Sequence, residues 1–179
     1  LEQKKVVITG GPGTGKSTVI DKLTELQFTC MPEISRTITR KAQMSGIDQL
    51  FLHDPLLFSN LLLEGRIEQY KKAGLENQDV VFFDRGIPDV FGYLNYLKMD
   101  YPGIFIDQSV IHRYDTVFMM PPWQKIYTTD NERYESYDQS MIIYQELLLA
   151  YKKIDYSVIT VPEGDISSRV QFILDTLKS

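Results

Sequence analysis

Lys5-Val6-Val7-Ile8-Thr9-Gly10-Gly11-Pro12-Gly13-Thr14-Gly15-Lys16-Ser17 decides the fold of this 179-residue chain. Its second half fits G-x-x-x-x-G-K-[ST], the phosphate-binding P-loop. Its first half, with β-branched Val6, Val7 and Ile8, reads as a short strand over Lys5–Thr9. The residues that follow, Lys16 to about Leu26, place Val19, Ile20, Leu23 and Leu26 at helical spacing. A strand entering a glycine loop that opens a helix is the context the motif requires. The glycines let the backbone approach an anion closely, and loop amides with the helix N-terminus supply partial positive charge. Gly11, Pro12, Gly13, Thr14, Gly15, Lys16, Ser17 and Thr18 are therefore the expected nucleotide contacts. Lys16 is expected on the β- and γ-phosphates, and the Ser17 hydroxyl on Mg²⁺.

Working outward, strand-like and helix-like segments alternate. Strands are expected at Phe28–Met31, Val80–Phe83, Thr116–Met120 and Ser157–Val161. Helices are expected from Glu33 to about Ser45, Asp54 to about Ala73, Pro88 to Met99, Ile104 to Arg113, Ser140 to Lys153 and Ile166 to Leu177. Asp54-Pro55 is a helix opening, with an N-cap acid before a proline at the first position. Val80–Phe83 is apolar throughout, as a parallel strand covered on both faces should be. This pattern predicts one α/β domain over residues 1–179. It is a three-layer P-loop nucleotide-binding fold with a five-stranded parallel sheet and chemistry at the strands' carboxyl ends. Trp123 to Tyr137 is polar and tyrosine-rich and reads as an excursion, within a lid-like segment at about 121–138.

Composition narrows the function classes. Hydrophobic residues make up 43% and charged residues 24%, as in an ordinary globular protein. The net charge is −5 and no Lys/Arg-rich block is present, so nucleic acid is not an expected partner. The single cysteine, Cys30, cannot form an internal disulfide, which points to a reducing, cytoplasmic setting. No apolar run approaches the roughly 20 residues of a spanning helix, so no integral membrane segment is expected. The chain starts at Leu1 rather than Met, as a trimmed start would. His53 and His112 have no metal-ligating neighbours at the right spacing, so no zinc is expected.

Asp84-Arg85 is the second anchor. An acid directly after a buried strand is where P-loop proteins hold their Mg²⁺-associated carboxylate. Asp84 and Ser17 are thus the expected metal ligands, and Arg85 a clamp for phosphate or acceptor. Motor ATPases place a second acid at the position Arg85 occupies, to polarise water. Arginine there favours transfer to a bound acceptor. The sequence runs only about 18 residues beyond its last strand, so the C-terminal helical domain of ring ATPases is not expected. No Asn-Lys-x-Asp guanine signature is present, which favours ATP over GTP.

Leu56-Leu57-Phe58 with Arg66 beyond, then Asp84-Arg85, resembles the layout of thymidylate and deoxynucleoside kinases. A closer resemblance covers most of the chain. It runs through the P-loop, Pro32-Glu33-Ile34-Ser35-Arg36, Asp84-Arg85-Gly86-Ile87-Pro88-Asp89 and Glu132-Arg133. These segments resemble a P-loop "AAA domain" family of predicted ATPases and kinases. They are similar to the nicotinamide riboside kinase domain of the bacterial NAD regulator and to a eukaryotic GTP- and phosphoinositide-binding trafficking protein.

The resemblance implies Glu33 as the base for the acceptor hydroxyl, with helix-dipole complementation as its structural alternative. Arg36, one helical turn on, would pair with Glu33 or bind the acceptor. Arg66 would face the acceptor from the middle helix. Asp89 would touch an acceptor hydroxyl or cap its helix. Arg133, with Lys125 second, would be the lid cation on the transferring phosphate. Tyr127, Tyr134 and Tyr137 would stack on a ligand or pack the loop. The leading expectation is an ATP- and Mg²⁺-dependent kinase acting on a nucleoside-like small molecule. The alternative is a nucleotide-binding regulatory ATPase or GTPase with weak catalysis and a protein or phosphoinositide partner. A mechanical ATPase is the third reading.

Overall fold

The computed structural model describes residues 2–126 and 135–178. Within them, strands β1 (Lys4–Gly10), β2 (Thr29–Met31), β3 (Val80–Asp84), β4 (Thr116–Met120) and β5 (Val158–Thr160) form one parallel sheet in the order β2-β3-β1-β4-β5. The described helices are α1 (Lys16–Glu25), α2 (Ser35–Met44), α3 (Leu50–His53), α4 (Pro55–Ala73), α5 (Pro88–Tyr96), α6 (Ile104–Ile111), α7 (Tyr137–Lys153) and α8 (Ile166–Lys178). A 3₁₀ turn spans Gln124–Ile126. The expected three-layer α/β fold is the one observed.

The period-2 alternation of the strands divides the core into two layers. Val6, Ile8, Phe82, Phe118 and Met120 pack with Val19, Ile20 and Leu23 of α1 and Val170 and Ile173 of α8. Val7, Val81, Phe83, Val117 and Met119 pack with α4, α5 and α7. Both faces of the central strands are covered, which is why their sequences are almost wholly apolar. Gly92 lets α5 lie close on α7: a Cβ there would sit 2.9 Å from Leu147 Cδ2 and 3.2 Å from Ala150 Cβ.

Register sets the site. β1 is central, pairing Ile8 with Asp84 of β3 and Gly10 with Met120 of β4. β3 therefore stops beside Ile8, and Arg85 N donates to Ile8 O at 3.0 Å. The P-loop and Asp84-Arg85 emerge side by side at the carboxyl edge of the sheet.

Some boundaries move. α2 begins at Ser35, and Glu33 stays outside it, its carboxylate accepting from Ser35 N at 3.0 Å. The α3 turn was not expected. α7 starts at Tyr137, three residues before the expected Ser140. The reason is a capping box: Ser136 Oγ accepts from Gln139 N, and Gln139 Oε1 accepts from Ser136 N. Tyr137 thus belongs to a helix rather than an excursion. α5 ends at Tyr96 rather than Met99, β2 begins at Thr29 rather than Phe28, and β5 is trimmed by one residue at each end. Asp54 caps α4 as expected, accepting from Leu57 N at 2.9 Å.

Candidate functional site

The phosphate loop is built from its carbonyls outward. Arg85 Nη1 donates to Gly10 O at 2.8 Å, and Thr14 Oγ1 to Gly11 O at 3.1 Å. Ser140 Oγ donates to Pro12 O at 2.7 Å, and Arg169 Nη2 to Thr14 O at 2.7 Å. Each tie fixes a peptide plane, so the loop's shape is imposed by side chains from α7, α8 and the end of β3. Gly13 and Gly15 take positive φ (72° and 76°), and Gly15 forms the N-cap of α1 in the left-handed region. A peptide plane held by its carbonyl presents its amide on the opposite side. Such a loop, leading into a helix N-terminus, is chemically an anion receptor.

Lys16 is 8% exposed, with Nζ 3.1 Å from Asp84 Oδ1. Burial, then the charge of Arg85, pulls its pKa down, and the charges of Asp84 and Glu33 oppose that. Ser17 and Thr18 are exposed beside it in sequence. Mg²⁺ fits this donor set: Asp84 Oδ1 is buried facing Lys16 Nζ with its hydrogen-bonding capacity unsatisfied, and Ser17 is exposed. No group of three or more His, Cys, Asp and Glu side chains among the described residues is arranged to hold a metal. A metal here would take its remaining ligands from phosphate and water, as Mg²⁺ commonly does.

Next to this pair lies an ionic network centred on Glu33. Its Oε2 is 2.6 Å from Arg85 Nε, and its Oε1 is 3.3 Å from Arg66 Nη2. Burial alone would push the Glu33 carboxyl up, but Arg66, Arg85 and Lys16 together hold it down at about 2. Arg85 holds a left-handed backbone (φ 73°) and lies over the Tyr93 ring, 5.4 Å from its centroid. A non-glycine residue in that region is strained and needs surrounding contacts to hold it. Its bonds to Gly10, Glu33 and Asp89 supply them. One guanidinium thereby joins the phosphate loop to the Glu33 carboxylate.

Two expected acceptor contacts are turned inward. Arg66 is only 3% exposed, with Nη1 donating to Gly86 O at 2.9 Å and Nη2 on Glu33. It faces inward because α4 packs on the sheet and Glu33 supplies its counter-charge. Asp89 is wholly buried. It accepts from Thr9 Oγ1, from Gly86 N at 2.9 Å, from Tyr151 OH at 2.6 Å and from Arg85 Nη1 at 3.2 Å. Four donors leave it no face for a ligand, so its position is that of a brace. The Glu33 ion pairs are with Arg66 and Arg85, whereas Arg36 is exposed on α2. Lys125 is exposed in the 3₁₀ turn. Arg133, Tyr127 and Tyr134 lie outside the described residues.

Sequence reasoning missed Thr9, Ser140, Tyr151 and Arg169. Two carried a visible signal: Thr9 ends an otherwise apolar strand, and Arg169 adjoins the buried stripe of α8. A cavity of about 730 Å³ lies between α2 and α4, its walls including Ile38, Leu50, Leu57 and Leu61. It reaches Pro32 and Ile34 on either side of Glu33. Among the described residues no helix is long and apolar enough to cross a membrane.

A family model described as an AAA domain matches residues 5–169. No curated protein matches. Among solved structures, deoxyadenosine kinase from M. mycoides with the product dCMP and a flexible dCDP bound gives a TM-score of 0.71 at 18% identity, over 97% of this chain and 98% of that one. The NadR protein in complex with NAD and AMP-PNP gives 0.71 at 17% identity, over 98% of this chain and 48% of that one. This chain thus spans about half the length of NadR. Thymidylate kinase from Ehrlichia chaffeensis gives 0.62 at 17% identity, over 99% of this chain and all of that one. At these identities the likeness is one of fold: a P-loop α/β fold of the nucleoside- and nucleotide-kinase kind.

Proposed function

The chain belongs to this AAA-domain family, and on that premise we propose that it is a small-molecule kinase that moves the γ-phosphate of ATP to a hydroxyl of a nucleoside-like acceptor. The observation that carries this reading is the 2.6 Å Glu33–Arg85 contact. It fixes a carboxylate at the edge of the phosphate loop and commits the residue after Asp84 to that carboxylate rather than to water.

In this reading, residues 11–18 cradle the triphosphate, and Lys16 exchanges its Asp84 partner for phosphate oxygens. Ser17 and Asp84 are the residues that would hold Mg²⁺, which when bound would neutralise phosphate charge. Glu33 accepts the hydrogen bond of the acceptor hydroxyl and aims its oxygen in line. A carboxyl held at about 2 is ionised at every working pH but is a weak proton sink. Because phosphoryl transfer passes through a loose transition state, orientation matters more than early deprotonation. The new O–P bond forms as the bond to the ADP oxygen breaks, and the acceptor's proton leaves past Glu33 to solvent. Arg133 is the proposed lid cation on the transferring group.

The test is a mass-spectrometric panel of nucleosides, nicotinamide riboside included, incubated with Mg-ATP and either wild-type protein or Lys16→Met. A phosphorylated nucleoside that disappears with Lys16→Met is the expected result. Tight ATP binding with no phosphorylated product across the panel would overturn the kinase reading and favour the regulatory alternative.

A further inference from the structure

Arg169, which ties the Thr14 carbonyl, is also a buried cation outside the Glu33 network. It is 4% exposed on α8, in the first turn after the β5 loop. Its Nη2 bonds Thr14 O, and its Nε is buried without a hydrogen-bond partner. Its Nη1 lies 2.8 Å from where a Cβ on Gly15 would be, so the guanidinium rests against the Thr14–Gly15 backbone. No ion pair to Arg169 forms among the described residues. The nearby acid whose charge reaches it is Glu163, exposed in the preceding loop. Burial of this charge disfavours it and pulls its pKa down.

A guanidinium taken out of water without a carboxylate is destabilised by lost solvation unless another anion compensates it. Arg66, equally buried, and Arg85, partly buried, both have Glu33. Among the described residues, Arg169 bonds a carbonyl of the phosphate loop and no carboxylate. Burial with no carboxylate partner among the described residues, placement against the loop and a buried Nε without a partner all point to an anion bound at the loop.

We propose that Arg169 is a fixed cation of the phosphate site, whose counter-charge is the nucleotide's own β- and γ-phosphates acting across the loop that it braces. It is a positioning residue: it holds the Thr14 carbonyl back, and its charge raises the local potential in a poorly solvated setting where Coulomb terms are large. It also crowds the Cβ position of Gly15, adding to the demand for glycine that the φ of 76° already makes. The inference rests on the nucleotide-binding reading above, though not on the identity of the acceptor.

The experiment is calorimetric titration of wild type, Arg169→Met and Arg169→Lys with ATP, ADP and AMP at two salt concentrations, with melting temperature as the control for folding. Arg169→Met is expected to weaken ATP by about tenfold or more, ADP nearly as much, and AMP little. Arg169→Lys should keep part of the affinity, and salt should weaken ATP less in Arg169→Met than in wild type. Equal losses for ATP and AMP, or no loss for ATP, would overturn it. If Arg169→Met does not fold, Arg169→Lys is read against Arg169→Gln, which keeps a donor but no charge. The charge account requires the lysine variant to bind ATP more tightly, and the reverse order contradicts it. A wild type that binds none of the three nucleotides contradicts the functional reading itself and is thereby distinguished from failure of this inference.

Discussion

The two halves of the site are held in different ways. On the phosphate side, four of the five loop carbonyls from Gly10 to Thr14, those of Gly10, Gly11, Pro12 and Thr14, are tied by donors from Arg85, Thr14, Ser140 and Arg169. On the acceptor side, the ties gather at Glu33 and its neighbour Pro32, while α2 beside them contains no buried residue and borders a cavity of about 730 Å³. The contrast fits the chemistry. A triphosphate is the same for every kinase of ATP and rewards a rigid receptor. An acceptor differs from protein to protein and is shaped by a wall that packing leaves adjustable.

The strongest way to break this division is at Lys16. Lys16→Met should reduce transfer by about a thousandfold and weaken ATP binding, while leaving Asp84 buried without its partner. Parallel calorimetry and product assays check both effects. Glu33→Gln should then lower transfer by about a hundredfold with the ATP dissociation constant unchanged, because orientation is lost and the receptor is not. Loss of ATP binding in that variant would show that the two sides are not separable.

A third prediction concerns the brace between the sides. Tyr151→Phe removes one donor from buried Asp89 and should cost about 2 kcal/mol of stability, read by denaturant melts. Asp89 keeps Gly86 N, Thr9 and Arg85, so the fold should survive.

A further effect appears only in acid. The Glu33 carboxyl is held at about 2, below its ordinary 4.5. The stability it contributes is therefore fully present above about 4.5 and is lost as pH falls from there toward 2. Wild type should lose more stability than Glu33→Gln across that window. Between pH 5 and 7 Glu33 should add no acid limb to the rate profile, since its ionisation does not change there.

What was legible in the sequence was local chemistry. The P-loop, Asp84 after its strand and the Asp54-Pro55 cap each declare themselves within a few residues, and the alternation of elements gave the parallel sheet. Glu33 was legible as a position, but its partners were not: Arg66 reaches it across 33 residues. Tyr151 meets Asp89 across 62 residues, and Arg169 meets Thr14 across 155. Whether an arginine faces a ligand or a carbonyl depends on how its helix is rotated on the sheet. Helical periodicity identifies the buried stripe of α8, yet it does not reveal that Arg169, beside the stripe, is spent on the loop of β1. The Ser136 capping box was local and readable, and it would have placed the start of α7 correctly.

The most direct measurement follows the label of γ-labelled ATP in the presence of the nucleoside panel, with wild type and Glu33→Gln compared at saturating ATP. The account predicts label in a phosphorylated acceptor, a large drop in its formation with Glu33→Gln and unchanged ATP affinity. Label recovered only as inorganic phosphate, at a rate indifferent to Glu33, would contradict it.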